Sequence, residues 1–333
     1  MPFQILSLSG GGYRGLYSAA VLADLEGRFR TTAASHFDLF AGTSIGGISA
    51  LALAADIPAT RVRDAFKDNG KAIFGTKEPP RTRFGILADV LSKALSCKYK
   101  ADALRSTIED ILGADTRIGD LRHPVIVPTV NLTVGRPSVF KTPHHPSLCM
   151  DANRLLVEVA LATSAAPTFF PLAEVNGSYH ADGGLFANSP DLMAVHEAIH
   201  FLGQNEADLT LLSIGTTSSN FSIANPSKPD FGIINWFSGN RLLNVMIAAQ
   251  ERSVDYMMQH RLADRYLRVD ENQSSEQEGR LALDCASDTA TKTILGLAGS
   301  SSRRAVGLPF IRDVFRHAAR AQTFYDNGEP KNG

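Results

Sequence analysis

The sequence predicts an α/β protein, and three observations predict it. Twice, at residues 3–29 and 37–55, a short apolar run passes through a glycine-rich turn into a helix-forming stretch. Further short apolar runs at 125–132, 209–215 and 266–269 alternate with stretches of helical periodicity, the arrangement expected of strands gathered in one sheet with helices on its faces. Finally, 44% of the 333 residues are hydrophobic and 20% are charged, enough to fill a large core. That length is a prior for about two domains, yet a single α/β domain of this size is ordinary.

The balance of charge excludes one class of partner. A formal net charge of -1 and a pI near 6.8 argue against DNA or RNA binding by phosphate neutralisation, while a small acidic ligand needs only a local pocket. Cys97, Cys149 and Cys285 stand far apart with no C-x-x-C spacing, which suggests reduced thiols in a cytoplasmic protein and no zinc site. The first residues show no basic segment followed by a long apolar stretch, so no signal peptide is expected. The longest uncharged run, residues 39–55, is interrupted by glycines and falls short of the about 20 residues that span a bilayer.

Residues 3–8 read as the first buried strand, followed by Gly10-Gly11-Gly12-Tyr13-Arg14-Gly15 and a helix over 16–29. This glycine cluster has two readings. Gly10, Gly12 and Gly15 fit a dinucleotide-binding fingerprint between strand and helix, and Asp38 lies at about the distance of its ribose-binding acid. Alternatively the N–H groups of Gly10, Gly11 and Gly12 form an oxyanion hole, with Arg14 adding positive charge. The second reading also accounts for the next glycine stretch.

That stretch follows the apolar run 37–41. Gly42-Thr43-Ser44-Ile45-Gly46 leads into a small-residue helix, and strand, G-x-S-x-G and helix together describe a nucleophile elbow. A sharp turn presents the Ser44 hydroxyl, and Gly42 and Gly46 admit the close backbone approach. The plain alternative is a strand-to-helix turn without chemistry.

Residues 60–67, 84–95 and 101–112 have helical periodicity, and a turn-rich loop covers 75–82. Phe66, Phe74, Phe84, Ile86 and Leu87 could line an acyl channel or simply be core. Residues 125–132 form a strand in which Pro128 marks a bulge or an edge, and 138–141 form the next. His144 and His145 have no ligand at metal spacing and read as a solvated loop. A helix over 151–163, capped by Asp151, ends in Ser164-Ala165-Ala166-Pro167-Thr168-Phe169-Phe170-Pro171. A hairpin around Asn176-Gly177 delivers Asp182-Gly183-Gly184, then Asn188-Ser189-Pro190 and another helix. A strand over 209–215, an apolar stretch around Trp236 that is core by default or else an exposed patch touching lipid, a helix over 241–259 and a strand over 266–269 follow. Residues 270–302 read as polar loop, 309–324 as the closing helix, and 326–333 as frayed.

With four motifs in order, the glycine cluster, the elbow, the Ser164–Pro171 stretch and Asp182-Gly183-Gly184 with Asn188-Ser189-Pro190, the chain resembles the patatin-like phospholipases over about residues 3–215. The resemblance implies a three-layer α/β/α sandwich with a mostly parallel central sheet, one domain over 1–333 whose motif core is 3–215 and whose helical extension is 216–333. It also implies a Ser-Asp dyad that cleaves acyl esters of lipids through an acyl-enzyme. Ser44 would be the nucleophile and Asp182 the base, with Gly10, Gly11, Gly12 and Arg14 as the oxyanion hole. Gly42, Gly46, Gly183 and Gly184 would support elbow and dyad, and no metal or other cofactor would be needed for the chemistry.

The chain further resembles the phospholipase effectors of cyclic-oligonucleotide anti-phage signalling. That likeness implies a dormant lipase acting on membrane phospholipid at the inner face of the cell membrane. Its activator would be a cyclic dinucleotide such as cyclic GMP-AMP, and activation would bring self-association to a homo-oligomer or loop ordering that exposes an apolar surface for lipid. No motif marks the nucleotide pocket; residues 70–83, 216–240 and 270–304 are where moving parts would lie, with Lys71, Lys77, Arg81, Arg83, Arg303 and Arg304 to meet phosphates. Two alternatives stand beside the dyad. His196, His200, His260 and His317 follow Asp182 in the order of a Ser-acid-His triad, and the Gly10–Gly15 loop alone could serve a non-enzymatic dinucleotide-binding module.

Overall fold

Strand residues that alternate between two buried faces make the centre of this protein. The computed structural model describes residues 2–76, 97–217, 232, 236, 241–278 and 280–331. Its eight-stranded sheet comprises β1 (Phe3–Leu8), β2 (Leu39–Gly42), β3 (Val125–Asn131), β4 (Arg136–Lys141), β5 (Ala173–Val175), β6 (Ser178–Asp182), β7 (Leu209–Ile214) and β8 (Tyr266–Val269). The order is β5-β6-β3-β2-β1-β7-β8, with β4 also paired to β3. Strands β3, β2, β1, β7 and β8 are parallel, while β4 and β6 pair antiparallel to β3 and β5 pairs antiparallel to β6.

Successive side chains of a strand point to opposite faces, and here both faces are covered. Phe3, Ile5, Leu39, Ala41, Ile126, Leu209 and Leu211 pack with Ala194, Val195, Ala198, Met258 and Leu262 of the helices Asp191–His200 and Arg241–Leu262. Leu6, Leu8, Phe40, Val125, Val127, Leu212 and Ile214 face the opposite layer. That layer holds α1 (Gly15–Phe29), α2 (Ile45–Ala54), α3 (Ala59–Phe74) and the helices Asp102–Leu112, Leu156–Thr163 and Asp288–Gly307. The result is the expected helix–sheet–helix layering, and parallel strands buried on both faces explain the uninterrupted apolar runs.

Pro128 stands between the β3 residues paired to β2 (Val125, Ile126) and those paired to β6 (Thr129 to Asn131), and its carbonyl accepts from Thr163 Oγ1 at 2.6 Å. Proline is tolerated there because the strand is changing partners.

Several expectations need correcting. The stretch read as polar loop over 270–302 contains the helix Asp288–Gly307, capped by Ser287 Oγ accepting from Ala290 N. The closing helix is only Pro309–Val314, and the tail forms a small hairpin, Tyr325–Asp326 with Glu329–Pro330. Asp151 caps no helix: its carboxylate accepts from Lys141 N, and the helix starts at Leu156 because Leu155 is extended and bridges to Arg117. His144 is not solvated either; it is buried, with Nε2 2.9 Å from Glu197 Oε1 and Nδ1 2.8 Å from Thr142 Oγ1. Residues 84–95, with Phe84, Ile86 and Leu87, lie outside the described residues, as do Lys77, Arg81, Arg83 and the neighbours of Trp236. Among the described residues no helix is long and apolar enough to cross a membrane, and no side-chain group could hold a metal ion.

Candidate active site

Ser44 sits in the two-residue turn between β2 and α2, with φ 56 and ψ -128. A residue with a Cβ adopts that conformation only when its surroundings impose it. Gly46 N donates to Thr43 O at 2.9 Å and Thr43 Oγ1 to Ala187 O at 2.6 Å. Ser44 N donates to Thr163 Oγ1 at 3.0 Å, and that hydroxyl is itself fixed on Pro128 O. The turn is as tight as glycine allows. A Cβ on Gly42 would lie 2.1 Å from Gly46 O, and one on Gly46 would lie 2.3 Å from Leu8 O.

Asp182 ends β6, paired with Thr129 of β3, and its N–H donates to Ala165 O at 3.0 Å. This register carries the Asp-Gly-Gly turn and the Ser164–Pro171 stretch to the same place as Ser44. Burial pushes the Asp182 carboxyl up to about 6; hydrogen bonds from the Gly184 N–H (2.7 Å) and the Ser44 hydroxyl hold it back. Desolvation disfavours the charged form, so the site contains a carboxylate of raised basicity beside a serine.

Ser44 and Asp182 open onto one cavity with Gly11, Gly12, Ile45, Ile48, Phe74, Leu104, Phe169 and Phe170; Leu185, Leu243, Ile247 and Leu283 also line it. Phe74 therefore borders an apolar space suited to an acyl chain, whereas Phe66 is ordinary core. Among the described residues no acceptor takes the N–H groups of Gly11 or Gly12. Gly10 differs: its N–H donates to Asn188 O at 3.0 Å, and its carbonyl accepts from Asn188 Nδ2 (3.2 Å) and Thr216 Oγ1 (2.9 Å). Gly10 holds the loop's shape, and Gly11 and Gly12 present the donors.

Arg14 also departs from expectation. It does not line the cavity: its guanidinium is buried and Nη1 donates to Thr217 O at 3.1 Å. Burial lowers its pKa, opposed by the charges of Glu251 and Asp270. Glu251 in turn accepts from Asn188 Nδ2 at 2.9 Å, and Arg268 pairs with Asp270 at 2.9 Å. Arg14 thus braces a buried charge network beneath the glycine loop. Arg14→Ala is expected to lower stability by about 3 kcal/mol, because it leaves buried carboxylates less compensated. Chemical denaturation would check this, and unaltered stability with a selective loss of turnover would return Arg14 to the oxyanion site.

The dinucleotide alternative fails on the same loop. Gly12 has φ +54, and a Cβ there would lie 2.1 Å from Leu283 O, which accepts from Tyr13 N at 2.8 Å. Asp38 is fully buried and accepts from Gln4 N, Arg320 N and, at 2.9 Å, His317 Nε2. Among the described residues no histidine lines the cavity. The His196 and His200 rings lie 4.3 Å apart at a tilt of 41° on an exposed helix face, and His260 bonds Tyr256 O. His180 packs on Phe140, its pKa lowered by burial. Of the basic residues expected to meet phosphates, Lys71 pairs with Asp288 at 2.7 Å and Arg304 pairs with Glu271.

Sequence reasoning did not single out Thr163 or assign a task to Asn188. Nothing marks a helix-terminal threonine as the anchor of an amide 119 residues away; Asn188 lay in a quoted motif, where its neighbourhood with Pro190 was the available signal.

Comparison with known proteins bears on the same residues. The model of the family described as patatin-like phospholipase matches residues 6–195. The chain is 41% identical over 332 residues to a protein of Pseudomonas aeruginosa named cGAMP-activated phospholipase, covering 99% of this chain and 96% of that one. Proteins of the same name from Escherichia coli and Vibrio cholerae are each 36% identical, over 87% of this chain and 86% and 88% of theirs. A buried serine–aspartate pair on an α/β sheet, two glycine N–H groups beside it without an acceptor among the described residues, and a family model that spans them all lead to one assignment: this chain belongs to the patatin-like phospholipase family and is a hydrolase.

Proposed function

We propose that the chain hydrolyses acyl esters of membrane phospholipids with a Ser44–Asp182 dyad, as one catalytic domain over residues 1–333 whose activity is switched on by a cyclic dinucleotide. The observation that carries the dyad is the buried Asp182 carboxylate, raised to about 6 beside Ser44 in a cavity without a histidine among its described lining residues. Ser44 Oγ attacks the ester carbonyl while Asp182 accepts its proton. The N–H groups of Gly11 and Gly12 receive the oxyanion. Protonated Asp182 then gives its proton to the leaving glyceryl oxygen, which leaves an acyl-Ser44. A water that loses its proton to Asp182 attacks the acyl carbon, and collapse returns that proton to Ser44 Oγ and releases the fatty acid.

The names of the relatives support activation by cyclic GMP-AMP; the role that accompanies it in this proposal is antiviral defence at the inner face of the cell membrane. An activator must bind the active conformation more tightly than the dormant one, since equal affinity shifts nothing. Hydrolysis of a fluorogenic phospholipid in vesicles, with and without a panel of cyclic dinucleotides and with sizing by light scattering, tests this. Turnover is expected to require a cyclic dinucleotide, cyclic GMP-AMP foremost, and to coincide with a larger particle. Full turnover without nucleotide and no response to the panel would leave a constitutive lipase.

A further inference from the structure

Ser164 carries one of four buried side-chain polar atoms without a hydrogen-bond partner among the described residues, with Ser7, Arg14 and Tyr17, and it alone of these lines the Ser44 cavity. It is 6% exposed. An unsatisfied buried hydroxyl is costly, which makes it a group waiting for a partner. Ser164 also lines a second recess, together with Leu104 and Phe170, so these three residues belong to the walls of both spaces. Leu161, Ala165, Leu172 and Ala173 give the second recess an apolar lining. Arg105 and Glu174, which also border it, are exposed, and Glu158 is half-buried.

A cavity at the nucleophile, a second apolar recess beside it and an unpaired hydroxyl at their common wall match the layout of a lipid with two acyl esters. We propose that the second recess binds the acyl chain that is not being cleaved, and that the Ser164 hydroxyl donates a hydrogen bond to that chain's ester carbonyl. This rests on Ser44 being the nucleophile and deepens that reading: the preferred substrates are diacyl lipids, and Ser164 is a specificity residue. The lining favours a hydrocarbon chain over a phosphate headgroup, because two of the three charged side chains around it, Glu158 and Glu174, are carboxylates that repel a phosphate, while Leu161, Ala165 and Phe170 give it a buried apolar floor.

The test compares kcat/KM for a diacyl phosphatidylethanolamine and for the monoacyl lysolipid of the same headgroup, in mixed micelles with cyclic GMP-AMP present. Turnover by the parent protein that disappears in Ser44→Ala reports the underlying reading separately. Ser164→Ala removes the donor, and Ala173→Trp fills the recess from the short edge strand β5, where the half-buried position tolerates a larger side chain. Each is expected to lower the diacyl-to-monoacyl ratio about tenfold, the effect of one lost contact, while Ser164→Thr, which keeps a hydroxyl, holds the ratio near the parent's. An unchanged ratio in Ser164→Ala or Ala173→Trp overturns the proposal. That includes an equal fall on both lipids, which is what a headgroup in this recess would produce.

Discussion

Ser44→Ala is expected to reduce ester hydrolysis about a millionfold, as loss of a catalytic serine does elsewhere, and to leave the fold in place. Only the hydroxyl is lost. The backbone N–H of residue 44 still donates to Thr163 Oγ1, and the Thr43 and Gly46 bonds that shape the turn do not involve the side chain. The change in stability should stay within about 1 kcal/mol. Turnover of a short-chain ester in parallel with a thermal melt checks both halves, and parent-like turnover would remove Ser44 from the chemistry.

Asp182→Asn should lower turnover about ten-thousandfold, the scale seen when a catalytic aspartate becomes a neutral amide. The amide accepts no proton, although it can still occupy the space above the Gly184 N–H. The parent protein should show the ionisation directly. Its base works only when charged, and its carboxyl titrates at about 6, so kcat/KM should be level above that pH and fall about tenfold per unit below it. The stability contribution of the same group has the opposite sign. A folded carboxyl held above its unfolded value favours the protonated form, so its contribution is fully present below about 4 and is lost as pH rises through about 6. The acidic limb should vanish from any residual activity of Asp182→Asn. Replacing His180, His196, His200, His260 or His317 one at a time should be tolerated far better; a loss equal to that of Ser44→Ala at any of them would establish a triad instead.

The elements that hold the site were legible because each carries a local signature. An apolar run of β length, glycines where the backbone must turn sharply, and a following helix are decided within about fifteen residues. What stayed hidden depends on partners distant in sequence. Arg14 reads as a free charge in a glycine loop until Glu251 and Asp270 are brought beneath it. His144 reads as solvated until Glu197 arrives from 53 residues away. The helix Asp288–Gly307 escaped for another reason. Its buried face is Ala290, Ile294, Ala298, Ser301, Ser302 and Ala305, all small but Ile294 and packed on α1, with Ser302 Oγ donating to Asp24. Such a face has little hydrophobic periodicity to read.

The backbone of Ser44 has one more consequence, for the folding equilibrium. A residue with a Cβ at φ 56 and ψ -128 carries a conformational penalty on the order of 1–3 kcal/mol. Alanine at this position inherits the penalty; glycine escapes it and gives back about 0.5–1 kcal/mol through the greater freedom of the unfolded chain. The two inactive proteins are therefore not equivalent. Ser44→Ala keeps the turn under the same tension as the working enzyme and is the faithful substrate trap, whereas Ser44→Gly relaxes it and is the sturdier molecule. Selection for thermal robustness alone would favour glycine at position 44, and only the demand for a nucleophile keeps serine there.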